Sequence, residues 1–319
     1  MSKKWMSTKV INNSITLNKA LEEFTQAMQL ENKSNYTITT YRKIIERFIR
    51  VVGDKEFAKV NKKDINLFIE HLSLTNRNTS INTNLIHLDV FINNFAKKNN
   101  YTEGIEIKKL KAENKTKEIY SKEELITLLT PELNETFMQM QYRVIISTFC
   151  STGLRVSELC SLLIKDVDIK ESLIYTRHTK SNKPRIVPIS SSLRPLLSEW
   201  FQKRQYKSED DTLFCNVYGE PLKRSVLQCG YYRYAKRKGL GQTGIHKFRR
   251  TFITHSVNAG VDIIRLARIT GHSQLKTLNE YYVNSKKEVK KLADKVSVLE
   301  SLDKSKETLK MKKNGGKKQ

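Results

Sequence analysis

Four short segments of the chain carry side chains able to grip a phosphate or move a proton. In the first, Thr152-Gly153-Leu154-Arg155-Val156-Ser157-Glu158-Leu159, an arginine stands where one helix stops and the next starts. Helix N-termini expose unpaired amide donors and favour anions, and a guanidinium placed there can hold a phosphate through two parallel hydrogen bonds. Glu158 lies one turn on and could orient that guanidinium; a surface ion pair between the two is the plainer alternative. The second segment is the polar turn Lys180-Ser181-Asn182-Lys183. A lysine at a hairpin tip could enter a DNA groove or protonate a leaving oxygen, or it could be a solubilising edge charge. The third, His246-Lys247-Phe248-Arg249-Arg250, sets an imidazole and a guanidinium three residues apart on one face of a helix, with Phe248 and Phe252 directed to the core. A contact to the DNA backbone without catalysis would use the same pair.

The fourth segment runs from Gly271-His272 to Tyr281-Tyr282. Leu275, Leu278 and Tyr282 recur at helical spacing, so Tyr282 belongs to a packed stripe. Tyr281 is turned about 100° from it and is the tyrosine that offers its hydroxyl to a partner. A single tyrosine on a helix is far more often structural than nucleophilic. The weight lies in the order of the four segments along the chain.

These groups need elements to hold them. With 319 residues the chain is longer than one compact core usually accommodates. Residues 1–15 read as an N-terminal extension and 16–101 as a bundle of four amphipathic helices. Its stripes are Leu17, Leu21, Phe24, Met28; then Ile38, Tyr41, Ile45, Phe48, Val52, stopped by Gly53; then Ile65, Phe68, Ile69, Leu72 after Asn61 as N-cap; then Ile81, Leu85, Leu88, Ile92, Phe95. Residues 102–118 are charged and poor in large apolar side chains, as in a linker between domains. From 119 to 300 the texture is mixed: a helix over 135–151 ending at Thr152-Gly153, another from Val156, two strands at 172–179 and 185–189, then helices with Gly260 and Gly271 as stops. Residues 301–319 form a lysine-rich tail expected to be disordered. The fold class is therefore mainly α with a small β-sheet (α+β).

Lys and Arg number 58 against 33 acidic residues, a net charge of +25, which implies a polyanionic partner. Nucleic acid is favoured over a membrane surface, because no apolar run approaches the roughly 20 residues needed to cross a bilayer. The basic start MSKKWMSTKV lacks the apolar run of a secretory signal, so an intracellular, cytoplasmic protein is expected. Cys150, Cys160, Cys215 and Cys229 show neither paired nor metal-ligand spacing and read as reduced packing residues. No Walker loop and no carboxylate cluster suggests a nucleotide or a metal cofactor.

Arg, hairpin Lys, His-x-x-Arg, Gly-His and Tyr, in that order, resemble the tyrosine recombinase and phage integrase family, over nearly the whole chain. TGLRVSEL is close to the family's wording, TKSNKPRIVPI resembles its lysine hairpin, and Tyr281 falls nine residues after His272 as its pattern requires. The resemblance implies a helical core-binding domain followed by a catalytic domain, with Arg155, Lys180, His246, Arg249 and His272 as catalytic residues and Tyr281 as nucleophile. Lys180 is preferred to Lys183 because it lies twenty-five residues past Arg155. The chain departs from the pattern at Thr270, where leucine is usual before Gly-His, at Arg250, where histidine is frequent, and at Thr179 and Ser181, where glycines flank the lysine.

What the resemblance implies is strand cleavage on double-stranded DNA, leaving a 3′-phosphotyrosine and a free 5′-hydroxyl, with no cofactor and no small-molecule substrate. Arg155 and Arg249 would clamp the phosphate, His272 would add a hydrogen bond, His246 would manage the tyrosine proton and Lys180 would act as general acid. It also implies a homotetramer on two paired sites that exchanges a C-terminal helix; Val289, Leu292, Val296 and Leu299 have the spacing for one, though the same helix could pack on its own domain. A type IB topoisomerase, or a DNA-binding protein that has lost catalysis, would share parts of this layout. No long domain precedes the bundle, which points to an Xer-like or transposon-type enzyme serving a mobile element.

Overall fold

A computed structural model describes residues 15–112, 118–177, 184–241 and 244–272. The chain divides into two compact units, Met1–Thr116 and Lys117–Gln319.

The first unit is built from α1 (Leu17–Leu30), α2 (Asn35–Val52), α3 (Lys62–Ser73) and α4 (Asn78–Asp89), the last running on into a widened turn at Val90–Ala96. The stripes expected from spacing face the core: Leu17, Leu21, Phe24 and Met28 on α1, Ile45 and Phe48 on α2, Phe68 and Leu72 on α3, and Leu85 and Leu88 on α4 are buried, while Tyr41, Val52, Ile69 and Phe95 are half-buried at its edge. The helix starts are set by short polar side chains. Thr16 and Ser34 cap α1 and α2, and Asn61 accepts from the Lys63 amide while the Asp64 carboxylate accepts from the Asn61 amide. Part of the stretch expected as a linker is held along α4. The Asn82 side chain exchanges two hydrogen bonds with the Leu110 backbone (2.7 and 2.8 Å), and Asn93 does the same with Ile105 (2.7 and 2.9 Å). Each asparagine amide matches a backbone N–H and C=O at once, and Ile105, Ile107 and Leu110 pack on the unit's core.

The second unit centres on α6 (Phe137–Thr152), which is preceded by α5 (Lys122–Leu129) and followed by the short α7 (Val156–Cys160). Val144, Ile145, Ile146 and Phe149 of α6 are all buried, and even its polar Gln141 is enclosed, paired with both backbone groups of Cys215 at 2.9 Å. A three-stranded antiparallel sheet follows, β1 (Val167–Asp168), β2 (Leu173–Thr176) and β3 (Arg185–Pro188), with Ile174 opposite Val187 and Thr176 opposite Arg185. β1 has only two residues, too few to show a period. β2 starts one residue later than expected because Ser172 takes a left-handed conformation (φ 57°), a turn geometry rather than an extended one. The remaining helices are α8 (Arg194–Arg204), α9 (Arg224–Arg237), α10 (His246–Asn258) and α11 (Ile263–Thr270). The expected nucleophile segment and the C-terminal helix and tail lie outside the described residues, as does the Lys180–Lys183 turn. Among the described residues no helix is long and apolar enough to cross a membrane.

α10 is fixed to α6 by aromatic packing. The fully buried Phe248 ring stacks on Tyr120 at 4.3 Å and on Phe149 at 6.2 Å, and meets Tyr231 edge-on at 5.3 Å. Gly153 ends α6 in the left-handed conformation (φ 61°), and a Cβ there would stand 2.4 Å from the Phe252 ring. The glycine both turns the chain and lets α10 approach, so Arg249 is delivered to the junction of α6 and α7.

Candidate active site

Three arginines from three elements end on the last carbonyls of α11. Arg185 at the start of β3 donates Nε–H to Ile269 O (2.7 Å), Arg249 on α10 donates Nη2–H to Thr270 O (2.8 Å), and Arg155 just before α7 donates Nη2–H to Gly271 O (2.5 Å). A helix C-terminus carries unpaired carbonyls and partial negative charge, so cations are favoured there. Gly271 closes the helix in the left-handed conformation (φ 69°); a Cβ on it would sit 2.9 Å from Arg185 Nη1 and 3.2 Å from Arg155 Nη1. Arg249 also donates Nη1–H to Gly153 O at 2.5 Å, tying the end of α6 to the end of α11.

Glu158 holds two of these guanidinium groups together. Its Oε1 accepts from Arg155 Nη1 (2.7 Å) and Arg185 Nη1 (2.9 Å), and its Oε2 accepts from the Arg155 backbone amide (2.8 Å) and Arg185 Nη2 (2.8 Å). Its side chain is fully buried. Burial would push the carboxyl pKa up, but the bonds from Arg185 and from Arg155 outweigh it and hold the group at about 2. Glu158 is therefore the anion that makes the cluster foldable. Exposure separates the roles of the cations: the Arg155 side chain is 25% exposed, Arg185 only 10%, and Arg249 is buried. Arg155 is the most exposed of the three guanidinium groups. Its two contacts above use two of its five N–H donors.

His272 follows α11 directly and lies against Arg249, with ring nitrogens 3.3 and 3.4 Å from Nη2. Burial first, then Arg249, Arg155 and Arg185, push its pKa down to about 4, so the imidazole is neutral near pH 7. His246, the first residue of α10, has Nε2 3.2 Å from Arg224 Nη2. Burial and the charges of Arg224, Arg250 and Arg249 lower its pKa as well.

Of the residues singled out by spacing, Arg155, Arg249 and His272 meet at the end of α11. His246 stands one turn ahead of Arg249, beside Arg224. Lys180 and Tyr281 lie outside the described residues. The plainer alternative for Arg155, a surface pair with Glu158, has the right partner and the wrong depth. Spacing missed Arg185 and Thr270. Arg185 was visible within the hairpin motif as the arginine of RIVP, but only its partners reveal its role. The three cations and one carboxylate leave a concentrated positive field around a neutral imidazole, an arrangement suited to binding a phosphate and stabilising added negative charge on it.

Comparison with known proteins gives a consistent picture. The phage integrase family matches residues 120–288, more than half of the chain, and the phage integrase N-terminal SAM-like domain matches residues 20–100. The tyrosine recombinase XerA of Thermococcus kodakarensis is 29% identical over 291 residues, spanning 89% of this chain and 98% of that protein. The tyrosine recombinase XerC of Oceanobacillus iheyensis is 29% identical over 278 residues, 82% of this chain and 90% of that one. Among solved structures, the Tn1549 transposon integrase in complex with circular intermediate DNA aligns with a TM-score of 0.74 at 19% identity, over 88% of this chain and all of that one. The XerH recombinase bound to its palindromic difH substrate aligns with a TM-score of 0.66 at 22% identity, over 89% of this chain and 85% of that one. At these identities the structural likeness is one of fold.

Proposed function

The chain belongs to the phage integrase family, the tyrosine recombinases that break and rejoin DNA strands through a 3′-phosphotyrosine, and from that premise we propose which residues carry the reaction and in what assembly. Arg155 and Arg249 hold the non-bridging oxygens of the scissile phosphate, with His272 beside them. Tyr281 attacks, His246 manages its proton, and Lys180 protonates the departing 5′-oxygen. The observation that supports this most is the meeting of Arg155, Arg249 and His272 at the end of α11.

The chemistry follows from charge. Phosphoryl transfer spreads negative charge over the non-bridging oxygens, and cations already in place stabilise it without reorganising. A tyrosine hydroxyl, with a pKa near 10, is a weak nucleophile at neutral pH, and nearby guanidinium groups make its anion accessible. As the tyrosine oxygen bonds to phosphorus, the bond from phosphorus to the 5′-oxygen breaks and the Lys180 proton passes to that oxygen. The phosphotyrosine keeps the energy of the diester, so a 5′-hydroxyl from a second strand can reverse the step and join to it.

The partner is double-stranded DNA, in keeping with the net charge of +25. Four copies act on two paired sites and exchange the segment bearing Val289, Leu292, Val296 and Leu299. The reaction serves the integration, excision or resolution of a mobile element. Domain limits at 16–101 and 119–300 divide the core-binding and catalytic roles. The purified protein is expected to join DNA only when two copies of its specific site are present. Relaxation of any supercoiled plasmid without joining would identify a topoisomerase instead.

The general-acid role has its own test. Lys180→Ala should slow cleavage of ordinary DNA on the order of 10²-fold or more, and recover nearly to wild-type rate when sulfur replaces the bridging 5′-oxygen, because a thiolate leaves without a proton. Absence of that recovery in a single-turnover cleavage assay would assign Lys180 to DNA contact alone.

A further inference from the structure

Thr270, where this chain departs from the family's usual leucine, has a buried side chain at the last position of α11. Its Oγ1 lies 2.6 Å from the Leu266 carbonyl and 2.7 Å from His272 Nδ1. A carbonyl cannot donate, so the one hydroxyl proton goes to Leu266 O, the back-bond that threonine commonly makes one turn down a helix. Oγ1 must then accept from His272, and the proton on the neutral ring is on Nδ1. That leaves Nε2 unprotonated; Arg249 Nη2 lies 3.3 Å from Nε2 and 3.4 Å from Nδ1, so the guanidinium rests over the face of the ring between the two nitrogens. The same guanidinium nitrogen donates to the Thr270 carbonyl. Thr270 thus meets Arg249 twice, through its backbone directly and through its hydroxyl by way of His272.

We propose that Thr270 is a positioning residue for the reaction: its hydroxyl holds His272 as the Nδ1–H tautomer and fixes the ring whose face supports the Arg249 guanidinium that grips the phosphate. The proposal rests on the catalytic assignment above for its kinetic consequence, but not for the tautomer. The charged groups facing the ring are Arg249 from α10, Arg155 ahead of α7, Arg185 from β3 and Glu158 from α7. With a leucine at position 270 the ring would be free to carry its proton on Nε2 and to turn away from Arg249.

The test uses the full chain labelled with 15N-histidine, the His272 signals being assigned by their loss in His272→Gln. The wild type should show a protonated, pyrrole-like Nδ1 and a pyridine-like Nε2 at neutral pH. Thr270→Val removes the hydroxyl at constant shape and should shift the ring toward the Nε2–H tautomer, with cleavage of a nicked substrate falling about tenfold. Thr270→Ser keeps the hydroxyl and should restore both the ring signals and the rate. A wild-type ring protonated on Nε2 would overturn the proposal whether or not the protein cleaves DNA. So would ring signals and rates unchanged in Thr270→Val. Failure of the wild type itself to cleave would count against the catalytic assignment alone, the ring signals still deciding the tautomer.

Discussion

Tyr281→Phe should abolish covalent capture of DNA, lowering it by at least ~10³-fold, while Tyr282→Phe leaves capture within a few fold of wild type. A thousandfold loss corresponds to about 4 kcal/mol of transition-state stabilisation. The reason for so large an effect is that phenylalanine has no atom able to form the phosphodiester, so no part of the covalent route survives. Phenylalanine keeps the ring, so packing is conserved and a folding defect is not an explanation. The contrast between neighbours is expected from helical spacing in the sequence, on which Tyr282 would continue the stripe of Leu275 and Leu278 and Tyr281 would be turned about 100° from it. A nicked suicide substrate, whose short fragment bearing the free 5′-hydroxyl diffuses off after cleavage, makes the covalent complex visible on a denaturing gel. Capture by Tyr281→Phe, with loss in Tyr282→Phe, would reverse the assignment.

Glu158→Ala should be the most destabilising single change in the site, by about 3–5 kcal/mol, because it leaves Arg155 and Arg185 facing each other in a buried setting without their shared anion. In thermal melts this is a fall of roughly 10 °C for a unit of this size. Cleavage by the folded fraction should also drop, on the order of 10²-fold, since both guanidinium groups lose the contact that aims them. The wild type carries a related signature in its acid sensitivity. Glu158 is held at about 2 in the folded chain against an ordinary 4.5, so its stabilisation is complete above about pH 4.5 and is lost as pH falls toward 2. Glu158→Gln should lack this part of the acid transition. A variant with unchanged melting but abolished cleavage would show that Glu158 acts on DNA rather than on the arginines.

Glu158 also marks the boundary between what spacing reveals and what it hides. Reading along the chain pairs it with Arg155, three residues away, and that pair exists. The stronger partner, Arg185, is twenty-seven residues off and on a strand, where nothing in the local pattern points back. The charged stretch from 102 has the composition of a connector, yet Asn82 and Asn93 hold its backbone. Asparagine amides leave no periodic trace, so composition alone misses them.

By itself the sequence determined the helices of the first unit, the breaks at Gly153 and Gly271, and the identities of Arg155, Arg249 and His272. All of these are local: a helical period, a cap or a left-handed glycine depends on residues within a turn or two. Only the tertiary structure decided that the end of α11 is where the arginines meet, that Glu158 binds two of them, and that a threonine hydroxyl meets the neighbouring imidazole. Those facts join residues up to 116 positions apart, and they arise because buried cations must find carbonyls and a carboxylate wherever packing brings them.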